Sequence, residues 1–183
     1  FNEADHSYKV NGKPAPGVTS ILRSCGIGVN SFWTDEGRDF GNAVHSAIHY
    51  WAQGDLDFDS LDDSVKPRLE AYVQFCADMN FKPDLIEQPL YRENPTYCGK
   101  LDQAQMDRVV IDLKTGAHQR ETALQLAAYC FFLPNPYRYD RWAVHLKDDG
   151  QYSLRVFPKS ELQSDFAVFQ SCLNVKNWRD RGN

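Results

Sequence analysis

Val109-Val-Ile-Asp112-Leu-Lys114-Thr-Gly116 sets two charged residues into a run that otherwise reads as a buried strand. Side chains alternate along a strand, so Asp112 and Lys114 share one face while Ile111 and Leu113 point into the opposite core. Charges taken out of water need partners. The preceding strand-like run carries Gly99-Lys-Leu-Asp102, and a hairpin centred near Asp107 puts Asp102 close to opposite Asp112. Adjacent carboxylates repel each other. A divalent cation relieves that repulsion, and hard oxygen ligands suit magnesium or manganese. The simplest alternative is that Asp-x-Lys forms a surface ion pair on an ordinary hairpin.

Working outward, three strand-like runs occur at 85–92, 97–106 and 109–114. Thr115-Gly116 ends the last of them, and 121–133 reads as a helix stopped by Pro134 and Pro136. Further strands are expected at 139–147 and 151–157 around Asp149-Gly150, followed by a helix over 159–178. Upstream, Asn11-Gly12 marks the turn of a short hairpin. Thr19 or Ser20 is expected to cap a short helix reaching Arg23, where hydroxyl and amide donors can meet a phosphate. Phe40, Val44, Ile48 and Trp51 keep helical spacing over 35–53, with Gly54 as the stop. Pro67 suits the first turn of another helix, through Met79. Helices followed by strands, a helix and two more strands imply an α/β (α+β) arrangement, a central mixed sheet flanked by helices, in one domain over 1–183.

Composition bounds the function classes. The 183 residues are 42% hydrophobic and 25% charged, near globular averages, which excludes a disordered or collagenous chain. The apolar run 124–133 falls well below the roughly 20 residues of a spanning helix, so no membrane role is expected. The chain opens at Phe1 with no signal-peptide pattern, which leaves room for an upstream segment. Five dispersed cysteines without a Cys-x-x-Cys pair argue against disulfides and for a reducing compartment. The aspartates at 55, 57, 59, 62 and 63 account for the whole formal charge of −5, so net acidity does not exclude nucleic acid. That stretch is no calcium loop, since Ser60 stands where the turn glycine should be and Lys66 where the closing glutamate should be.

Over 18–129 the chain resembles the PD-(D/E)XK nuclease superfamily, in particular its RecB-type branch of phage and mitochondrial exonucleases. The resemblance rests on Gly41-Asn-Ala-Val-His45, Glu87, Gly99 to Asp102, Asp112-Leu-Lys-Thr-Gly116, and Gln125 to Tyr129, in that order. It implies a restriction-endonuclease-like core that hydrolyses DNA phosphodiesters with magnesium or manganese. Asp102, Asp112, His45 and the Leu113 carbonyl would be ligands, and Lys114 would act on the reacting phosphate. Glu87 would either hold metal or hydrogen-bond Lys114. Gln125 and Tyr129, one helical turn apart, would address the site or DNA, with Arg38, Thr19 and Ser20 as further DNA contacts. Trp33 and Tyr97 are candidates to stack on unpaired bases.

The implied activity is that of an exonuclease in recombination, repair or phage DNA metabolism. Rivals are an endonuclease on the same core and a catalytically silent DNA-binding or assembly module. The chain has no phosphate-loop motif, so any helicase or recombination protein would be a partner. It also lacks the four-cysteine cluster of some relatives, so no iron-sulfur cofactor is expected. The resemblance admits an oligomer and fits a cytoplasmic setting, that of the host if phage-encoded, or the mitochondrial matrix.

Overall fold

A computed structural model describes residues 2, 7–28, 34–94 and 96–181. Trp33 lies outside the described residues. The elements run β1 (Tyr8–Val10), β2 (Lys13–Ala15), α1 (Val18–Ser24), α2 (Asp35–Gln53), α3 (Lys66–Asp78), β3 (Leu85–Glu93), β4 (Thr96–Gln105), β5 (Val109–Lys114), α4 (Thr122–Cys130), β6 (Asp140–Leu146), β7 (Tyr152–Phe157) and α5 (Leu162–Asp180). β1 and β2 form their own hairpin. The other five strands form one sheet in the order β3-β4-β5-β6-β7, antiparallel except for the parallel β5–β6 pair. That pair is bridged by α4, as a parallel connection requires a crossover.

Strand alternation divides the core. Val109, Ile111 and Leu113 of β5, with Trp142, Val144 and Leu146 of β6, face a cluster built with α2 and α3. Val110 and Ala143 face the other cluster, built with α1, α4 and α5. Asp112 and Lys114 have the parity of Val110, so they sit on the α1/α4/α5 side of the sheet. Arg141, 1% exposed, ties that side together by bonding Ala123 O, Pro158 O and, at 2.6 Å, Asp165.

Three expectations need correction. The cap of α1 is Gly17, with no side-chain cap hydrogen bond, and Thr19 and Ser20 are exposed residues of its first turns. The helix starts at Val18, because Ile21 N–H already donates to the Gly17 carbonyl; the Tyr8 ring lies over Gly17, where a Cβ would meet Tyr8 Cε2 at 2.9 Å, and the Pro16 carbonyl accepts from Cys98 N–H. A side chain there would have to displace the Tyr8 ring. Tyr97 is fully buried against Phe132 and Phe169, so it offers no stacking face. The expected helix at 121–133 ends earlier, at Cys130.

Gly99 has a packing role of the same kind. A Cβ there would lie 2.7 Å from Tyr129 Cε1 and 3.1 Å from Phe132 Cε2, so the bare backbone lets α4 close onto β4. Gly99→Ala is expected to lower the unfolding free energy by about 1–3 kcal/mol. Gly116→Ala, with nothing within 4 Å of the added methyl, should change it by about 0.5 kcal/mol or less. Denaturant titration of both variants checks this, and equal small effects would contradict it.

Candidate active site

The site forms where β4 and β5 part. Their ladder runs over Gln105↔Val109, Ala104↔Val110 and Gln103↔Ile111, around a turn in which Asp107 is left-handed at φ 57°. Continuing that register would set Asp102 against Asp112. Instead of a backbone acceptor, the Leu113 N–H finds Asp102 Oδ2, at 2.8 Å. The freed Leu113 carbonyl lies 3.3 Å from His45 Nε2. A side chain has thus replaced a rung of the sheet.

His45 comes from α2, whose Val44, Ala47 and Ile48 anchor it on the opposite core. Thr34 caps that helix by accepting from Gly37 N–H, and Gly54 ends it in the left-handed region at φ 74°. Gly41 faces Thr115 Oγ1 at 3.9 Å from its would-be Cβ, so the helix passes close to the end of β5. His45 Nδ1 is 2.9 Å from Glu87 Oε1, and Nε2 is 4.0 Å from Asp102 Oδ2. His49, one turn on, pairs with Gln53 instead.

Glu87 sits inside β3 with φ 49°, between the pairs Ile86↔Gln103 and Gln88↔Leu101. A left-handed non-glycine residue costs about 1–3 kcal/mol and persists only where its surroundings demand it. Here the carboxylate takes two cations at once, His45 on Oε1 and Lys100 Nζ on Oε2 at 2.7 Å. The hydrogen bond from Lys114 to Glu87 offered as one alternative does not form. Lys114 instead lies on Asp112 Oδ2 at 2.8 Å, because i and i+2 share a strand face and Glu87 is turned towards α2.

Asp112 is 1% exposed, and its Oδ1 has no hydrogen-bond donor among the described residues. An orphaned buried carboxylate oxygen whose charge couples to Asp102 and His45, together with the Leu113 carbonyl that His45 meets, makes a donor set that fits a hard divalent cation. His45, Glu87 and Asp102 also bring possible ligand atoms within 4.8 Å of one another. Tyr129 is buried beside this pocket, its hydroxyl accepting from Gln125 Nε2 at 3.1 Å. Burial, then the Asp102 and Asp112 charges, push its hydroxyl pKa well up. Arg38 is an exposed residue of α2 whose guanidinium meets Asp35 and Asp39. Lys100 is part of the pocket through Glu87; its place two residues before Asp102 on one strand face was the available signal. His145, opposite Lys114 in β6 and bonded to Gly116 O at 3.0 Å, gave no signal at all.

No protein-family model matches the chain, and no curated protein matches it in sequence. Among solved structures, the fold is similar to that of a putative exonuclease from Eubacterium rectale, with a TM-score of 0.61 and 14% identity over 89% of this chain and 81% of that one. At this identity the likeness is one of fold: a mixed five-stranded sheet flanked by helices.

The electrostatics of the pocket favour protons. Burial raises the Asp102 pKa from 3.8 to about 7, with Asp112 and Glu87 adding to it against His45 and Lys114. Burial opposes charge on His45, but Asp102, Glu87 and Asp112 outweigh it and raise its pKa from 6.5 to about 9. Both groups therefore hold protons more tightly folded than unfolded, and stability must fall as pH rises through these windows. In chelator, the melting temperature is expected to drop between pH 6.5 and 9, the His45 window, and His45→Gln should flatten that drop. A wild-type melting temperature that rises across this range would contradict the assignment.

Proposed function

We propose that this chain is a divalent-metal-dependent deoxyribonuclease of the PD-(D/E)XK kind, a magnesium- or manganese-using exonuclease that works on linear DNA. The observation that carries the reading is the convergence of Asp102, Asp112, Lys114, His45 and the Leu113 carbonyl at the parted end of β4 and β5, with an unsatisfied oxygen on Asp112. The fold likeness to the Eubacterium rectale protein is consistent with it. Recombination, repair or phage DNA metabolism, with a helicase or recombination protein as partner, is the setting that suits such an activity.

In this reading Asp102, Asp112, His45 and the Leu113 carbonyl hold the ion. A bound divalent cation supplies charge neutralisation at the phosphodiester and makes water a better nucleophile. Lys114 contributes from the protein side. Burial pulls its pKa down, but Asp112 and Asp102 more than offset this and raise it, so the side chain stays an ammonium. It is therefore a donor to a phosphate oxygen or to the attacking water, stabilising the charge that builds in the transition state, and not a base. Asp112 keeps that ammonium extended at the strand end. Tyr129 and Gln125 wall the pocket from α4, and backbone contacts from exposed groups such as Thr19, Ser20 and Arg38 would set register on DNA without reading sequence.

Cleavage of end-labelled linear DNA is expected with magnesium or manganese and to vanish with chelator, while covalently closed circles survive; full activity in chelator, or discrete cuts in a circle at comparable rate, would contradict this. Lys114→Ala should lower turnover by about 10²–10³-fold at saturating metal, the scale set by losing one transition-state donor. The same variant leaves Asp112 without its cation, so its melting temperature should fall in chelator and recover with manganese. A variant with near-normal turnover would return Asp-x-Lys to the status of a plain ion pair.

A further inference from the structure

His45, Glu87 and Asp102 look at first like a three-ligand set, since their donor atoms are mutually within 4.8 Å. The hydrogen bonds argue otherwise. Both Glu87 oxygens are already engaged, Oε1 by His45 Nδ1 at 2.9 Å and Oε2 by Lys100 Nζ at 2.7 Å. To ligate an ion, Glu87 would have to release one of two charge-assisted contacts. The left-handed φ of 49° is what aims its carboxylate at α2 while the β3–β4 register continues on both sides.

We infer that Glu87 is a positioning residue that acts through His45, and that Lys100 in turn holds Glu87, with neither residue in the ligand set. The inference rests on the nuclease reading above and deepens it. A histidine has two ring nitrogens, and the one tied to a carboxylate decides what the other can do. With Nδ1–H donated to Glu87, the nitrogen left to coordinate is Nε2, and Nε2 is the one facing the Leu113 carbonyl at 3.3 Å and Asp102 Oδ2 at 4.0 Å. Glu87 thus fixes both the ring orientation and the nitrogen presented. Lys100 stands two residues before Asp102 on β4, so it reaches Glu87 from within the same strand. Its ammonium neutralises a third carboxylate that would otherwise repel Asp102 and Asp112, and it keeps Glu87 an acceptor.

A double-mutant cycle on manganese binding, read by calorimetry with manganese alone as the probe, separates the two roles. Glu87→Ala is expected to weaken manganese binding about tenfold, the low end of the 10–100-fold range for residues that orient a metal-bound histidine. In a His45→Ala background the same substitution should change it by about twofold or less, since the residue it works through is gone. Glu87→Gln, which keeps an acceptor for Nδ1–H, should restore most of the affinity. Lys100→Met should weaken binding alone and add nothing to Glu87→Ala. An equal loss from Glu87→Ala in both backgrounds would make Glu87 a direct ligand and overturn the inference.

If the His45→Ala protein binds too weakly to titrate, nitrogen-15 spectra of the magnesium-loaded wild type decide. A proton on Nδ1 with none on Nε2 supports the assignment, and the reverse tautomer overturns it. Failure of the nuclease reading looks different: Asp102→Asn would then leave manganese affinity unchanged, or the wild type would bind none, and the inference would fall with the site. Thermal melts of each variant confirm that the proteins compared are folded.

Discussion

Asp112 is a carboxylate at 1% exposure on the central strand of the sheet, with Oδ2 in an ion pair with a single ammonium at 2.8 Å and neither oxygen taking a well-aligned hydrogen bond among the described residues. Taking a carboxylate this far from water costs several kcal/mol after relaxation, and one cation on one side does not satisfy it. The surroundings can be understood as the response to that constraint. β4 parts from β5 just where Asp102 would face Asp112, and the Asp102 side chain takes the Leu113 N–H, so a second carboxylate enters without facing the first across a regular rung. α2 then supplies an imidazole, β4 supplies Lys100, and β3 accepts a left-handed Glu87 to connect them. Charges of both signs alternate through the pocket, and the Asp112 carboxylate, without a hydrogen-bond donor among the described residues, is where a cation would be worth most.

The fold around this pocket explains why it can be both buried and reachable. Each face of the sheet has its own helical layer, so β5 and β6 are covered on both sides, with the charged side chains confined to one face. Where β4 and β5 part, within β4 and at the end of β5, the side chains of Asp102 and Lys114, with His45 from α2, keep partial access. Rigid strands with a local opening give side chains fixed positions at a strand end, which loops alone do not.

Much of this was legible from local pattern. Alternation in Val109 to Lys114 fixed which residues share a face, and the Asp107 turn followed from the short gap between two strand-like runs. Gly99 and Gly41 stood in recognisable positions, and the structure supplies a steric use for Gly99. What stayed hidden depends on contacts distant in sequence. No propensity signals that Glu87 will adopt φ 49°, since the cause lies in His45, 42 residues away, and in Lys100 on the next strand. The cap fell at Gly17, whose carbonyl takes the Ile21 N–H, and not at Thr19 or Ser20, and the burial of Arg141 awaited Asp165 and two carbonyls from separate segments. Short-range rules gave the strands and helices; the ion pairs between them are properties of the assembled sheet.

The central claim is that the parted end of β4 and β5 is a divalent-cation site formed by Asp102, Asp112, His45 and the Leu113 carbonyl. The most direct measurement is anomalous diffraction from crystals soaked in manganese. The account predicts a peak enclosed by those four groups, with Lys114 and Glu87 outside the ligand set. A peak confined to the acidic stretch 55–63, or no peak at the strand ends while Asp112 keeps only its contact with Lys114, would contradict it.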